Sequence, residues 1–256
     1  MKITIITISC NSELTITKSI QSVLSQNNNC EYIIIDGNSI DKTVTIINRY
    51  ETYIPKHISE KDNGIYDAMN KGLNLATGDV IGFLNSDDYY MGSDVLDAVL
   101  HIFENANFDS CYSDLVYVDQ GYKPVRYWKS GKYSPSKFYW GWMPPHPTFF
   151  VKKKIFERYG GFDTDFGTAA DYELMLRFLL KYRISCTYIP QVLVCMRTGG
   201  ASNASVSGRL LANRYDRSAW KKNELTPFPW TLALKPLRKI GQYFFKKTVV
   251  SNASIP

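Results

Sequence analysis

The feature that most constrains this 256-residue chain is a motif repeated through its first ninety residues. An apolar run rich in β-branched residues ends in a short polar turn, and an amphipathic stretch follows. Ile3-Thr4-Ile5-Ile6-Thr7-Ile8 is the first such run and Tyr32-Ile33-Ile34-Ile35 the second. Lys56-His57-Ile58-Ser59 is a shorter third and Val80-Ile81-Gly82-Phe83-Leu84 a fourth. Runs of this kind suit strands covered on both faces. Between them, Ile16, Ile20, Val23 and Leu24 mark a helix capped by Asn11 or Ser12 and running to about Gln26. Asp41 caps a second helix through Val44, Ile47 and Tyr50. The clearest helical period begins at Ile65 and continues through Ala68, Met69, Gly72, Leu73 and Ala76, at offsets of 3, 4, 7, 8 and 11. Alternation of strand and helix predicts an α/β fold with a mostly parallel central sheet covered by helices.

Ligands of such sheets sit beyond the carboxyl ends of the strands. Three of those ends are polar or acidic here: Ser9-Cys10-Asn11, Asp36-Gly37-Asn38-Ser39 and Ser86-Asp87-Asp88. The topology predicts that they converge on one edge. Neither a GxGxxG nor a GxxxxGK[ST] motif is present, which disfavours a usual dinucleotide-binding fold and a P-loop. Five dispersed cysteines without a CxxC pair argue for reduced thiols in a cytoplasmic protein, against a disulfide framework or zinc site. Met1 to Thr7 reads as a strand, not a secretory leader, and no apolar run is long enough to span a bilayer.

The later sequence changes character twice. Residues 110–150 are rich in aromatics and proline, with Tyr127, Trp128, Tyr139, Trp140, Trp142 and Pro144-Pro145-His146-Pro147. A strand is expected at Thr148–Val151, a turn at Gly160–Asp163, a helix from Asp171 to about Tyr182 and a last strand from Ile184 to Ile189. Residues 209–256 then carry ten Lys and Arg against two Asp and Glu, a net +8, whereas residues 1–208 are net −2. This divides the chain into a domain of residues 1–208 and a basic, aromatic helical tail of residues 209–256. Within the domain, residues 1–120 carry the acidic strand ends and residues 121–208 the aromatic stretch and Asp171. Mixed aromatics and cations suit the surface of an anionic membrane, and a helix packed on the domain is the plainer account. No nucleic-acid motif accompanies the charge, so no nucleic-acid partner is expected.

Each candidate residue has a plain structural reading beside the functional one. Adjacent Asp87 and Asp88 repel unless water, a cation or donors offset them; a divalent metal carrying a diphosphate would do so, as would a simple turn. Asp36 suits hydrogen bonds to a nucleobase or a helix-capping turn. Asp62 suits a base contact or an N-cap. Lys71 suits a phosphate contact or an i,i+4 pair with Asp67. Asp171 suits a general base or an N-cap. Trp142 and His146 suit an acceptor wall or core packing. Cys10 has no base beside it and reads as packing.

Taken in order, these pieces resemble the family 2 glycosyltransferases of the GT-A fold, over roughly residues 2–202. The matching stretches are Thr4–Thr7 with Asn11, Ser22–Gln26, Glu31–Ser39 with Asp41-Lys42-Thr43, Ser59–Gly72, Ala76–Asp79, Gly82–Asp88, Gly160–Asp163 and Asp171–Arg177. The Ile65–Gly72 stretch is similar to the branch of colanic-acid and O-antigen transferases. The resemblance implies that Asp36 and Asp62 contact the nucleotide base and that Asp87 binds ribose. It implies that Asp88 reaches a Mn²⁺ or Mg²⁺ ion and that Asp171 is the catalytic base. Thr7, Asn11, Lys71 and Ser86 are the further donor-side candidates. Two positions depart from many relatives: Met69 stands where Arg is common, and Met196–Ser202 lacks a metal-holding His. The implied reaction is metal-dependent, inverting transfer from a UDP-linked nucleotide sugar to a lipid-linked or soluble glycan of surface polysaccharide, on the inner face of the cytoplasmic membrane, with residues 1–120 as the nucleotide-binding half and residues 121–208 as the acceptor and catalytic-base half. A GT-A domain without turnover, serving as a nucleotide- or glycan-binding scaffold, is the alternative. A nucleotidyltransferase is disfavoured because no Gly-rich triphosphate loop is present.

Overall fold

In the computed structural model, which describes residues 1–28, 30–199 and 206–243, each early β-branched run is a strand. The order is β1 (Ile3–Ser9), α1 (Ile16–Leu24), β2 (Glu31–Asp36), α2 (Thr43–Asn48), β3 (Lys56–Ser59), α3 (Ile65–Leu75) and β4 (Val80–Asn85). These four strands pair in parallel, in the order β3-β2-β1-β4. The period of two in β1 divides its side chains. Ile6 and Ile8 join one apolar cluster with Ala68, Met69 and Leu73 of α3. Ile3 and Ile5 join another with Ile16, Ile20 and Val23 of α1.

Helix α1 starts at Ile16, four residues after Ser12, and stops at Leu24. The backbone N–H groups that an earlier start would place in the helix are engaged elsewhere. Asn11 donates to Ser39 Oγ at 2.8 Å, Ser12 to Thr43 Oγ1 at 2.7 Å and Glu13 to Asp41 Oδ2 at 3.1 Å. The loop after β1 is thereby fastened to the loop after β2.

The second half adds β5 (Tyr89–Tyr90), α4 (Val95–Asn105), β6 (Ser110–Val118), β7 (Pro124–Trp128), α5 (Ser136–Tyr139), β8 (Phe150–Lys152), α6 (Lys153–Tyr159), α7 (Ala170–Met175) and β9 (Cys186–Arg197). Among the described residues one sheet carries all nine strands, continuing from β4 through β8, β6, β9 and β5, with β7 on β6. Thr148, expected in a strand, belongs to a 3₁₀ turn. The helix expected from Asp171 is α7 followed by a π-helical stretch, Leu176–Lys181. The last strand runs eight residues beyond Ile189, to Arg197. Pro190 lacks a ladder donor and sits where the β6–β9 register jumps, between the Ser113–Ile189 and Asp114–Val192 pairs. Residue 120 falls in the β6–β7 turn, so both proposed halves share the sheet.

Helices α8 (Val206–Lys222) and α9 (Thr231–Leu237) follow, and α8 crosses the expected 208/209 boundary. Trp220 is fully buried in the cluster that holds Ile6 and Ile8, and its indole N–H donates to Tyr172 Oη at 2.9 Å. Gly141 (φ +75°) lets α9 approach, because a Cβ there would lie 2.5 Å from the Lys235 backbone nitrogen. The described tail is therefore packed on the domain. Lys246 and Lys247, counted in the tail charge, lie outside the described residues, as do Gly200–Ser202.

Glu31 fastens the amino-terminal edge of the sheet. It accepts from Lys56 Nζ at 2.7 Å, Thr4 Oγ1 at 2.6 Å and the Thr77 N–H at 2.7 Å. Burial opposes its charge, but hydrogen bonds from Lys56, Thr4 and Thr77 prevail and hold the carboxyl well below its usual range. The folded state thus binds this proton less readily than the unfolded state. The stabilisation is complete above the unfolded carboxylate range and is lost as pH falls toward the depressed folded value. Glu31→Gln is expected to lower unfolding free energy by about 2 kcal/mol at pH 7, with a smaller deficit at acid pH. Denaturant titrations at the two pH values measure both.

Candidate active site

The parallel register sets Ser9 beside Asp36 and Ile8 beside Asn85, so the carboxyl ends of β1, β2 and β4 form one edge. Asp36 is buried there and accepts four hydrogen bonds. They come from Ser9 Oγ at 2.9 Å, Ser39 N at 2.9 Å, Ser39 Oγ at 2.6 Å and Ser59 Oγ at 2.7 Å. A carboxylate held this way is fixed in direction. Gly37 follows it, and a Cβ at Gly37 would stand 2.5 Å from Asp62 Oδ2. Glycine at this position leaves Asp62 its place against the strand end. Cys10 reports the convergence: burial, then the charges of Asp36, Asp62 and Asp41, push its thiol up. A thiol so shifted is a poor nucleophile, but Cys10 is exposed at the strand end, so the expected packing role does not hold.

Ser86 is buried and pairs with Ser12 Oγ at 2.7 Å. Asp88 is 1% exposed. It accepts from the Arg197 N–H and the Asn85 amide, both at 3.2 Å. Burial and the adjacent Asp87 charge push Asp88 well above the usual carboxylate range. Burial raises Asp87 too, against its own backbone N–H and the Arg197 guanidinium. This pair is electrostatically unfinished, in contrast to Asp36. Two carboxylates short of positive charge fit a divalent cation completed by phosphate oxygens and water. Among the described residues no three His, Cys, Asp or Glu side chains are grouped to hold a metal by themselves.

Asp171 stands in the first turn of α7 and accepts the Tyr172 N–H at 2.7 Å. Tyr66 and His146 flank it. Tyr66 lies in the first turn of α3, which begins at the same sheet edge. Burial and then the Asp171 charge push its phenol up. The His146 ring lies 5.8 Å from Phe83 and 5.5 Å from Phe162, and Phe162 is 5.3 Å from Tyr66. Burial pushes His146 down, and Asp171 pulls it up. A cavity of about 510 Å³, lined by Phe162, Asp163, Glu173, Arg177 and Lys222 among others, contains none of the carboxylates assigned to the site.

Four expected site residues are placed differently. Thr7 is fully buried at mid-strand and its hydroxyl pairs with Tyr32 Oη at 3.1 Å, away from the edge. Asn11 is bound inward: its side chain accepts the Ile40 N–H at 3.0 Å and so shapes the turn after β2. Lys71 pairs with Glu60 at 2.7 Å and with the Lys61 carbonyl at 3.0 Å, bracing the loop that carries Asp62. Trp142 is a core residue, 5.6 Å from Tyr112 and 5.4 Å from Phe138 by ring centroids, with its N–H on the Ser130 carbonyl. The apolar surroundings of α5 and β6 outcompete a solvent-facing role for that indole.

A family model described as Glycosyl transferase family 2 matches residues 4–162. The chain belongs to this family. Family 2 relatives include an uncharacterized glycosyltransferase of Mycobacterium tuberculosis, 33% identical over 186 residues, covering 70% of this chain and 69% of the relative. A PGL/p-HBAD biosynthesis glycosyltransferase of Mycobacterium bovis is 26% identical, covering 71% of each chain. Among solved structures, Staphylococcus aureus TarS in complex with UDP-GlcNAc superposes with a TM-score of 0.67 at 16% identity. The match covers 84% of this chain, which spans 65% of that one. A mannosyltransferase from Pyrobaculum calidifontis in complex with GDP-Man and Mn²⁺ superposes with a TM-score of 0.64 at 17% identity, covering 91% of this chain and 68% of its own. The fold is GT-A.

Three features of this family 2 site were not assigned from sequence. Tyr66 carries no local signal of a role, because Asp171, whose charge acts on it, is 105 residues away. Arg197 closes on Asp87 and Asp88 from a strand whose second half was not recognised. Ser9, Ser39 and Ser59 direct Asp36, and their positions just after strands were the available signal. The packing of Trp142 carries its own expectation: Trp142→Ala lowers stability by about 3–5 kcal/mol, which thermal and denaturant unfolding measure. A variant that retains wild-type stability would return Trp142 to the surface.

Proposed function

We propose that the protein transfers a sugar from a nucleoside-diphosphate donor, UDP-linked, to a glycan acceptor, with inversion at the anomeric carbon. The observation that carries this reading is the buried Asp88 carboxylate beside Asp87, short of a cation, on the strand edge that also gathers Asp36 and Asp62. A diphosphate and a Mn²⁺ or Mg²⁺ ion supply together what that edge lacks, and the ion would offset charge on the departing diphosphate. Asp62 provides an acceptor for a nucleobase, with the Gly37 backbone as a flat approach and Asp36, its oxygens taken by Ser9, Ser39 and Ser59, fixing the turn beneath. Asp87 takes the ribose hydroxyls in this reading. The nucleotide-sugar and nucleotide complexes of the structural neighbours support the donor class.

Asp171 takes the proton from the acceptor hydroxyl as that oxygen bonds to the anomeric carbon. The bond from that carbon to the diphosphate breaks with its electron pair, and the nucleoside diphosphate leaves. His146, packed between Phe83 and Phe162 beside Asp171, lines the acceptor side. The acceptor we favour is a lipid-linked glycan of surface polysaccharide, as in the colanic-acid and O-antigen branch, met at the inner face of the cytoplasmic membrane. Exposed aromatics support a membrane contact. Trp140, Phe228 and Trp230 are 50%, 43% and 46% exposed and touch one another, with the Trp140 and Trp230 rings 6.0 Å apart. Arg238 lies against Trp140, and such aromatic and cationic surfaces suit anionic headgroups. Among the described residues no helix is long and apolar enough to cross a membrane.

Asp171→Asn and Asp88→Asn are expected to lower kcat by about 10²–10⁴-fold with unchanged thermal unfolding. Radiolabelled sugar transfer from a panel of nucleotide sugars, with Mn²⁺ and with chelator, measures it. Full activity in both variants removes the role assignment. Gly37→Ala should fold normally, because the Asp62 carboxylate can swing aside, yet weaken UDP binding about tenfold by calorimetry. Trp140→Ala with Trp230→Ala should abolish sedimentation with phosphatidylglycerol vesicles; sedimentation equal to wild type excludes the aromatic contact.

A further inference from the structure

Helix α7 carries Asp171 and does not hold itself in place. It runs only from Ala170 to Met175, and Ala169 before it provides no side-chain cap. A helix this short is unstable on its own. Gly167 has φ +48°, so the chain enters α7 through a bend. Asp171 Oδ1 accepts the Tyr172 N–H at 2.7 Å, so the direction of this carboxylate follows the backbone of the next residue. What fixes that backbone fixes Asp171.

The two residues after Asp171 are buried, each 1% exposed, and both are tied to the helices that follow the sheet. The Tyr172 hydroxyl accepts the indole N–H of Trp220 in α8 at 2.9 Å. The Tyr172 ring lies under the Lys235 ammonium of α9, 3.5 Å from the ring centroid. Asp216 of α8, itself buried, holds that ammonium at 2.7 Å. A cation shielded from water over an aromatic face attracts it more strongly than one at an exposed site. Glu173 accepts from Asn223 Nδ2 of α8 at 3.1 Å and pairs with Arg177 at 3.0 Å. Asp171, by contrast, is only half-buried.

We propose that Lys235, with Asp216 behind it, and Trp220 and Asn223 are positioning residues for sugar transfer: they clamp Tyr172 and Glu173 and thereby set the Asp171 carboxylate. The inference rests on the glycosyl-transfer reading, in which Asp171 is the general base. A catalytic group displaced by about 1 Å loses about a hundredfold in rate. The donor-side carboxylates sit at the ends of β1, β2 and β4 and are held by their own strands and turns. The clamp therefore acts on turnover and leaves nucleotide binding alone.

The paired substitution Lys235→Met with Asp216→Leu removes the cation over Tyr172 and leaves neither partner as an unpaired buried charge, so it should fold. Thermal unfolding of the full chain checks this. Calorimetry with UDP and Mg²⁺ should give wild-type affinity within about twofold. With the nucleotide-sugar panel used for Asp171→Asn, kcat should fall at least about tenfold at an unchanged donor KM. Hydrogen exchange of residues 170–175 should quicken. Lys235→Arg keeps a cation over the ring and should retain kcat within about threefold. Tyr172→Phe keeps the ring under Lys235, deletes only the hydroxyl that Trp220 holds, and should lower kcat about threefold. A paired variant whose kcat stays within about twofold of wild type, or whose UDP affinity falls in step with kcat, overturns the positioning role. If that variant does not fold, Tyr172→Phe decides, and wild-type kcat there overturns it. Full transfer by Asp171→Asn would instead sink the base assignment and leave the exchange result standing, so the two failures are told apart.

Discussion

The parallel register of β1 between β2 and β4 is the constraint on which the rest of this protein depends. It stacks Ser9 against Asp36 and Ile8 against Asn85, so three strands end level with one another. A slip of one residue would turn Ile6 and Ile8 from one apolar cluster to the other and carry Ser9 away from Asp36. Burial on both faces forbids that slip. The hydrophobic pattern of the strands therefore positions the polar chemistry at their ends, although no apolar residue takes part in it.

The buried carboxylates then fall into two groups, and the division has functional meaning. Asp36, Glu31 and Asp114 are supplied with donors from the protein itself. For Asp114 these include the Ser130 N–H at 2.7 Å and the Tyr188 hydroxyl at 2.8 Å. Such groups build structure and direct their neighbours. Asp87 and Asp88 are supplied with too few, and in the function proposed above a cation from outside the chain completes them. A site of this kind trades some stability of the empty protein for affinity toward a cationic or metal-bearing ligand.

Much of this was legible in the sequence, because it is written in short-range pattern. The β-branched runs, the α3 period and the acidic strand ends each lie within a dozen residues, and each took its expected place. What failed was depth and distance. Composition marks Trp142 as aromatic but does not say which side faces Tyr112 and Phe138. Lys71 offers an amine, and only the fold shows that Glu60 claims it. Pro190 looked like a strand's end because a ladder donor is missing there, and the sheet absorbs it as a bulge. The neighbours of Asp171, namely Tyr66 and His146, come from segments 80 residues apart, which no local pattern connects.

The burial of Trp220 and Leu232 in the same apolar cluster as Ile6 and Ile8 bears on how the chain is made. Strand β1 shares its core with helices that leave the ribosome more than two hundred residues after it. During synthesis the amino-terminal strands can assemble, but one wall of their core stays open until α9 has cleared the exit tunnel. The nascent core must wait for α8 and α9, and a ribosome stalled before Trp220 would hold it incomplete and exposed to chaperones.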